Sequence, residues 1–130
     1  MTTMAPTFQK KERIVSKKLI ETLFEKGNSQ SLAVYPIRAI FQKTERREDC
    51  APVQILISIP KKRFKHAVDR NRVKRQIRES YRHHKHLLSQ VVGQDEQLLI
   101  AFVWLIDKHL PSRDVEKKVI NLLQKIAEKS

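Results

Sequence analysis

Residues 61–86 constrain the fold of this chain more than any other segment. They read KKRFKHAVDRNRVKRQIRESYRHHKH and hold eleven Lys or Arg against two acids, a formal +9 of the chain's +13. From Val68 onward, apolar residues recur with the period of an α-helix. At about 100° per residue, the residues within about 80° of Val73 are Ile77, Tyr81, His84, Leu88 and Val91. The segment therefore predicts one long amphipathic helix, ending near Val92, with a face that must be buried.

Cations fill the neighbouring face of this predicted helix. At about 100–200° from Val73 lie Asn71, Lys74, Arg75, Arg78, Arg82 and Lys85. A row of cations fixed along one helix face suits a polyanion whose phosphates repeat along a line.

Length and composition favour a single globular domain. With 130 residues, 40% of them apolar and 32% charged, the chain can bury a modest core. We expect residues 1–7 to form a flexible tail and residues 8–130 to form one domain. A pI near 10.2 points to a nucleic acid or an anionic membrane as partner.

Several protein classes are disfavoured by what the sequence lacks. Cys50 is the single cysteine, so no internal disulfide or cysteine-based zinc site is expected. The longest apolar run, Leu98–Ile106, is far shorter than the roughly 20 residues of a membrane helix. We find no paired carboxylates, no Ser-His-Asp order and no phosphate-binding glycine loop. The sequence thus predicts a soluble, cytoplasmic protein whose own side chains break no bonds.

Periodicity and turn residues predict the order helix, strand, strand, long helix, strand, helix. The first helix covers Lys17–Lys26, with Ser16 as N-cap and Gly27 as stop, and a turn or very short strand follows at Asn28–Ser31. The predicted strands are Leu32–Phe41 (with an edge, bulge or break at Pro36), Val53–Ile59 and the central Leu98–Leu105. The last helix opens at Pro111–Ser112 and buries Val115, Val119, Leu122, Leu123 and Ile126. This is an α+β two-layer sandwich, a small mixed or mostly antiparallel sheet with helices packed on it.

One motif resembles a known family. The stretch AVDRNRVKRQIRE, Ala67–Glu79, is similar to the signature of the bacterial ribonuclease P protein subunit, with its Arg-Asn-Arg core followed by Val-Lys-Arg and Arg-Glu. The flanks IPKKRFKH, KKERIVSKK and LFEKGNSQSLAVYPI also resemble the family, over roughly Phe8–Ala127. The resemblance implies about four strands, the fourth near Asn28–Ser31, and a left-handed crossover around the signature helix.

The same resemblance implies a function. Proteins of this family bind a large catalytic RNA and promote removal of the 5′ leader from precursor tRNA. The holoenzyme is an endoribonuclease in which the RNA performs the hydrolysis, with magnesium held mainly through the RNA. The implied partners are therefore the catalytic RNA and precursor tRNA, with no membrane and no obligate protein partner.

The resemblance also assigns candidate residues. Those expected to contact the catalytic RNA are Lys61, Lys62, Arg63, Lys65, Arg70, Asn71, Arg72, Lys74, Arg75, Arg78 and Arg82. Those expected to line the leader-binding cleft, between the first helix and the sheet, are Lys17, Lys18, Ile20, Phe24, Tyr35 and Arg38. Ile20 stands where the family often has an aromatic residue, so Phe24 and Tyr35 are the expected stacking platforms. Phe64 stands where the family commonly has glycine.

Alternative interpretations stay open at this level. At least one of Arg70 and Arg72 could be structural, pairing with Asp69 or Glu79. Asn71 could cap a turn, and Phe24 and Tyr35 could be core residues, as Trp104 is expected to be. His83, His84 and His86 are expected to contact phosphate or solvent rather than a metal. A non-enzymatic RNA-binding module, such as a ribosomal protein or RNA chaperone, is the alternative function. A membrane-surface protein is a more distant one, because the apolar face of the basic helix is needed by the fold.

Overall fold

The structure, a computed structural model, describes residues 13–14, 17–24, 29–45 and 51–129. Within these ranges the elements are α1 (Lys17–Phe24), β1 (Gln30–Val34), β2 (Ile37–Glu45), β3 (Val53–Ser58), α2 (Ala67–His84), a 3₁₀ turn (Lys85–Leu88), β4 (Glu96–Trp104) and α3 (Ser112–Lys129). The predicted tail and the proposed Ser16 and Gly27 boundaries of α1 lie outside the described residues. No described helix has the length and apolar character needed to cross a membrane.

The four strands form one mixed sheet in the order β1-β2-β4-β3. β2 pairs antiparallel with both β1 and β4, and β3 pairs parallel with β4. β4 is interior, and its residues from Gln97 to Phe102 are all buried. An interior strand covered on both faces needs apolar side chains at every position, so the prediction from this unbroken apolar run is confirmed. The α+β class with a four-stranded mixed sheet is confirmed as well.

The predicted strand Leu32–Phe41 is divided at Pro36 into two strands. The chain turns at Tyr35–Pro36, and β1 and β2 form a hairpin whose last register pair is Val34 with Ile37. Pro36 has no backbone N–H to give to a ladder, so of the three outcomes expected at this residue the structure shows the break. β1 is the short fourth strand, and it begins within the predicted Asn28–Ser31 segment.

The helix α2 is shorter than its periodicity predicts. It ends at His84 rather than near Val92, and the backbone continues through the 3₁₀ turn. Tightening into a 3₁₀ turn is common at helix ends. The turn still places Leu88 in the core, where it is fully buried. The apolar stripe therefore continues beyond the last α-helical residue.

The main core lies between one face of the sheet and the helices α2 and α3. Val73, Ile77 and Tyr81 of α2 are at most 1% exposed. The predicted stripe of α3 and Trp104 are also fully buried. A smaller cluster on the other face joins Leu23 of α1 to Ile40, Leu99 and Ala101 of the sheet. The sheet thus carries α1 on one face and α2 with α3 on the other.

Polar contacts fix α2 against α3. The Nε2 group of Gln76 donates to the Leu110 carbonyl at 2.9 Å and to the Ser112 Oγ at 3.1 Å. Two turns further on, His84 Nε2 lies 3.3 Å from Glu116 Oε2. These contacts fix the side of α2 that faces α3, and so define which side remains open.

We expect Ile77→Ala to lower the free energy of unfolding by about 2–5 kcal/mol, because it leaves a cavity under α2. Chemical denaturation measures the change. Asn121→Ala, at an exposed position of α3, is the control and should shift stability by less than about 0.5 kcal/mol. A loss below about 1 kcal/mol for Ile77→Ala would contradict the burial described here.

Candidate nucleic-acid interface

Burial of one face of α2 directs its cations away from the core. Asn71, Arg72 and Arg75 are exposed, and Lys74 is half-buried. Within the described part of the chain, the side chains of these four residues make no hydrogen bond or ion pair. A guanidinium group without an internal partner keeps its five donors for a ligand, and its fork matches the oxygens of a phosphate.

Other predicted RNA-binding cations make contacts inside the protein. Arg82 binds Glu79 one turn earlier, with Nε at 3.1 Å from Oε2. Arg63 Nη1 lies 3.5 Å from Asp107 Oδ1. Both pairs are partly exposed, and such pairs contribute little to stability. Arg63 and Arg82 can therefore exchange these partners for phosphates at small cost.

Arg70 has a different setting. Its Nη1 donates to two backbone carbonyls, those of Phe64 at 2.8 Å and Lys65 at 3.0 Å. This supports the structural interpretation of one arginine in the Arg-Asn-Arg core, although its partners are loop carbonyls rather than the acids expected. Asn71, by contrast, is exposed in the second turn of α2.

The histidines of α2 contact carboxylates. His83 Nε2 lies 3.8 Å from Glu79 Oε2, and His84 contacts Glu116 of α3. Across the described residues, no group of three His, Cys, Asp or Glu side chains is placed to hold a metal ion. The helical angle of His84, within the apolar face, is the sequence signal that could have located this contact with α3.

The opposite face of the sheet carries the residues expected to bind the leader. Arg38 shares this face with Ile40, on which α1 packs, and pairs across the sheet with Ala33 and Val103. Its Nε donates to Ser31 Oγ at 2.8 Å. Ile20 is half-buried against the same cluster. The structure thus brings Ile20 and Arg38 to one face of the sheet, and their contact with a leader stays a prediction. The side chains of Lys17 and Lys18 lie outside the described residues.

Phe24 and Tyr35 are solvent-accessible, which removes the interpretation of either as a core residue. Phe24 is 47% exposed and Tyr35 is 68% exposed. They lie at opposite ends of β1, because Ser29 Oγ bonds the Leu23 carbonyl just before the strand begins, whereas Tyr35 follows its last residue. At about 3.3 Å per residue, they are separated by on the order of 15 Å. They are therefore two separate exposed aromatic side chains, one near each end of β1.

The Tyr35 end of β1 and the basic loop of residues 60–66 lie at the same end of the sheet. The turn at Tyr35–Pro36 and the carboxyl ends of β3 and β4 share one end of the sheet, and the Leu105 N–H donates to the Pro36 carbonyl at 2.9 Å. The loop that follows β3 leads directly into α2. The turn at Tyr35–Pro36 and the loop that enters α2 thus lie at the same end of the sheet, with β4 between β2 and β3.

Sequence reasoning assigned no role to four residues around these surfaces. Phe64 and His109 stack, Asp107 pairs with Arg63, and Arg113 lies with Arg72 and Arg75 on a groove of about 410 Å³ between α2 and α3. His109 and Asp107 fall in a segment without periodicity or motif, so no signal marked them. Arg113 could have been found from its place in the first turn of the predicted last helix.

A small α+β fold in which Arg72, Lys74 and Arg75 lie along one helix without a partner among the described residues is typical of a nucleic-acid-binding protein. Comparison with known proteins identifies the family within this class. The family model described as Ribonuclease P matches residues 8–127. The ribonuclease P protein component of Porphyromonas gingivalis (strain ATCC BAA-308 / W83) is 40% identical over 129 residues, covering 96% of this chain and 91% of that protein. The component from Chlorobium phaeobacteroides (strain DSM 266 / SMG 266 / 2430) is 37% identical over 84 residues, or 63% of this chain and 56% of that protein.

Solved structures show the same fold. The RNase P protein of Staphylococcus aureus superposes with a TM-score of 0.66 at 22% identity, covering 90% of this chain and 95% of that one. The RNase P protein from Thermotoga maritima gives 0.66 at 20% identity, covering 88% and 96%. The chain belongs to the ribonuclease P protein family. This membership places it in an endoribonuclease assembly.

We expect Arg75→Ala to weaken RNA binding and to flatten its salt dependence. One lost phosphate contact should lower the slope of log affinity against log salt by roughly 0.7 to 0.9. The measurement is a binding titration at several salt concentrations with full-length protein and the catalytic RNA. Lys125→Ala, which removes an exposed cation from the distal part of α3, is the charge-matched control. An unchanged slope for Arg75→Ala would exclude a phosphate contact at Arg75.

Proposed function

We propose that this protein is the protein subunit of a ribonuclease P, which binds the catalytic RNA and the 5′ leader of precursor tRNA and so promotes maturation of the tRNA 5′ end. The observation that carries the proposal is the exposed side of α2, where Arg72 and Arg75 have no internal partner within the described chain. The family membership supplies the identity of the RNA. In this proposal the RNA subunit performs the hydrolysis.

The catalytic RNA would contact α2 and the basic loop. Arg72, Arg75 and Lys74 offer donors along the helix, and the exposed Lys61, Lys62 and Lys65 extend the row toward the end of the sheet. Each phosphate neutralised by such a cation releases condensed counterions, which favours binding at low salt. The backbone of a folded RNA follows such a row without base-specific contacts.

The leader would bind as a single strand along the α1 face of the sheet. Phe24 and Tyr35 offer rings for base stacking at the two ends of β1, and Arg38 offers a guanidinium near the Tyr35 end. Stacking on aromatic rings accepts any base, which suits leaders of varied sequence. Because the Tyr35 turn and the basic loop lie at the same end of the sheet, a bound leader would extend toward the end at which the catalytic RNA would bind.

Magnesium is assigned to the RNA. Among the described residues, no three His, Cys, Asp or Glu side chains are grouped so that they could hold a metal ion. The protein would act on magnesium indirectly, because its cations lower the repulsion between RNA strands that the metal otherwise screens.

We expect the protein to raise the rate of precursor tRNA cleavage by the catalytic RNA most strongly at low magnesium, where the RNA alone is least able to screen its own charge. The assay compares cleavage with and without protein across a magnesium series. Potassium chloride adjusted to equal ionic strength replaces the protein in the control. Absence of stimulation at every magnesium concentration would defeat the proposal.

We expect Phe24→Ala and Tyr35→Ala each to weaken binding of a leader-bearing precursor by about 1–3 kcal/mol, or roughly 5- to 150-fold in Kd, through loss of stacking. Mature tRNA should bind unchanged in the same holoenzyme assay. Tyr35→Phe keeps the ring and serves as the matched control. Equal losses on both substrates would instead favour a general RNA-binding module.

A further inference from the structure

The loop between β3 and α2 carries three exposed lysines, Lys61, Lys62 and Lys65, whose side chains have no partner within the described chain. A surface loop with such a charge density would ordinarily sample many conformations. Here, contacts on several sides hold it against the β4–α3 connection and the first turns of α2.

The first contact is aromatic. Phe64, at the middle of the loop, is only 8% exposed. Its ring stacks on that of His109, with centroids 4.5 Å apart and planes inclined by 17°. Aromatic pairs of this kind contribute beyond the area that they bury. The loop is thereby anchored by its one large apolar side chain.

The second contact ties His109 to the helix. Its Nε2 lies 3.0 Å from Asp69 Oδ1, in the first turn of α2, and both side chains are less than half exposed. His109 therefore touches the loop with its ring face and the helix with its ring edge. Asp107, two residues earlier, pairs with Arg63 on the same loop.

The third contact comes from the helix itself. Arg70 donates to the carbonyls of Phe64 and Lys65, and the loop closes its own turn through the Arg63 N–H and the Pro60 carbonyl at 2.9 Å. We call the set Arg63, Phe64, Asp69, Arg70, Asp107 and His109 the loop clasp.

We propose that the loop clasp, with His109 as its central positioning residue, holds Lys61, Lys62 and Lys65 in one fixed arrangement that continues the cationic row of α2, so that loop and helix bind one continuous stretch of RNA phosphates. This inference rests on the proposed function. Its physical basis is preorganisation: ordering three long side chains and their backbone before binding removes a cost that the complex would otherwise bear. His109 itself need not touch the RNA.

A double-mutant cycle tests the proposal on the full-length protein and the catalytic RNA. His109→Ala should weaken RNA binding roughly tenfold, the cost of re-ordering the loop on binding. In a background where Lys61, Lys62 and Lys65 are all replaced by Gln, the same substitution should weaken binding less than about twofold, because nothing then remains for the clasp to position. Equal factors in the two backgrounds, or no change in either, would overturn the proposal.

Two further variants test whether misfolding, rather than loss of the clasp, explains weaker binding. Phe64→Leu keeps apolar volume but removes the stacked ring, and it carries the same expectation as His109→Ala. His109→Phe keeps the stack, loses the contact with Asp69, and should fall between wild type and His109→Ala. All titrations are run at a temperature at which thermal unfolding shows each variant folded. A general loss of stability would weaken binding in both backgrounds alike.

The wild-type protein separates this inference from the function on which it rests. A wild type without salt-dependent binding to the catalytic RNA would defeat the proposed function itself. A wild type with a steep salt dependence, combined with His109 and Phe64 variants that bind equally well, would defeat the loop clasp alone.

Discussion

Burial of one face of α2 is the interaction on which the rest of this structure depends. Val73, Ile77 and Tyr81 remove their side chains from water against the sheet, and this fixes the rotation of the helix about its own axis. Once that rotation is set, the arginines and lysines on the remaining positions must face solvent or α3. Packing of the apolar face therefore decides where the cations of α2 lie, and the cationic surface needs no further interaction to orient it.

The excess positive charge of residues 61–86 is not neutralised by the acidic residues of the same segment. Residues 61–86 contain two acids, and both are already engaged, Asp69 with His109 and Glu79 with Arg82. Exposed ion pairs would in any case recover little free energy. Burial of the apolar core offsets the repulsion among the remaining cations, and binding of a polyanion relieves it. Stability and RNA binding are therefore linked through the same helix.

The elements with a strong period could be predicted from the sequence, and those set by local tertiary contacts could not. The buried stripe of α3 follows from apolar residues at helical spacing. The interior position of β4 follows from a continuous apolar run, which suits a strand covered on both faces. The hairpin at Tyr35–Pro36 was visible as a proline within a strand, but the choice between bulge and break depends on how β1 pairs with β2. The end of α2 at His84 was missed because the apolar stripe continues through Leu88 in a tighter turn.

The candidate site divides in the same way. The outward cations of α2 follow from helical geometry, whereas the contacts of Arg70 with loop carbonyls and of Phe64 with His109 depend on two loops distant in sequence. These loops meet because β3 and β4 run parallel and end together. Parallel pairing thus has a consequence beyond the sheet: it places the connection into α2 beside the connection into α3, at the end where the α1 face carries Arg38.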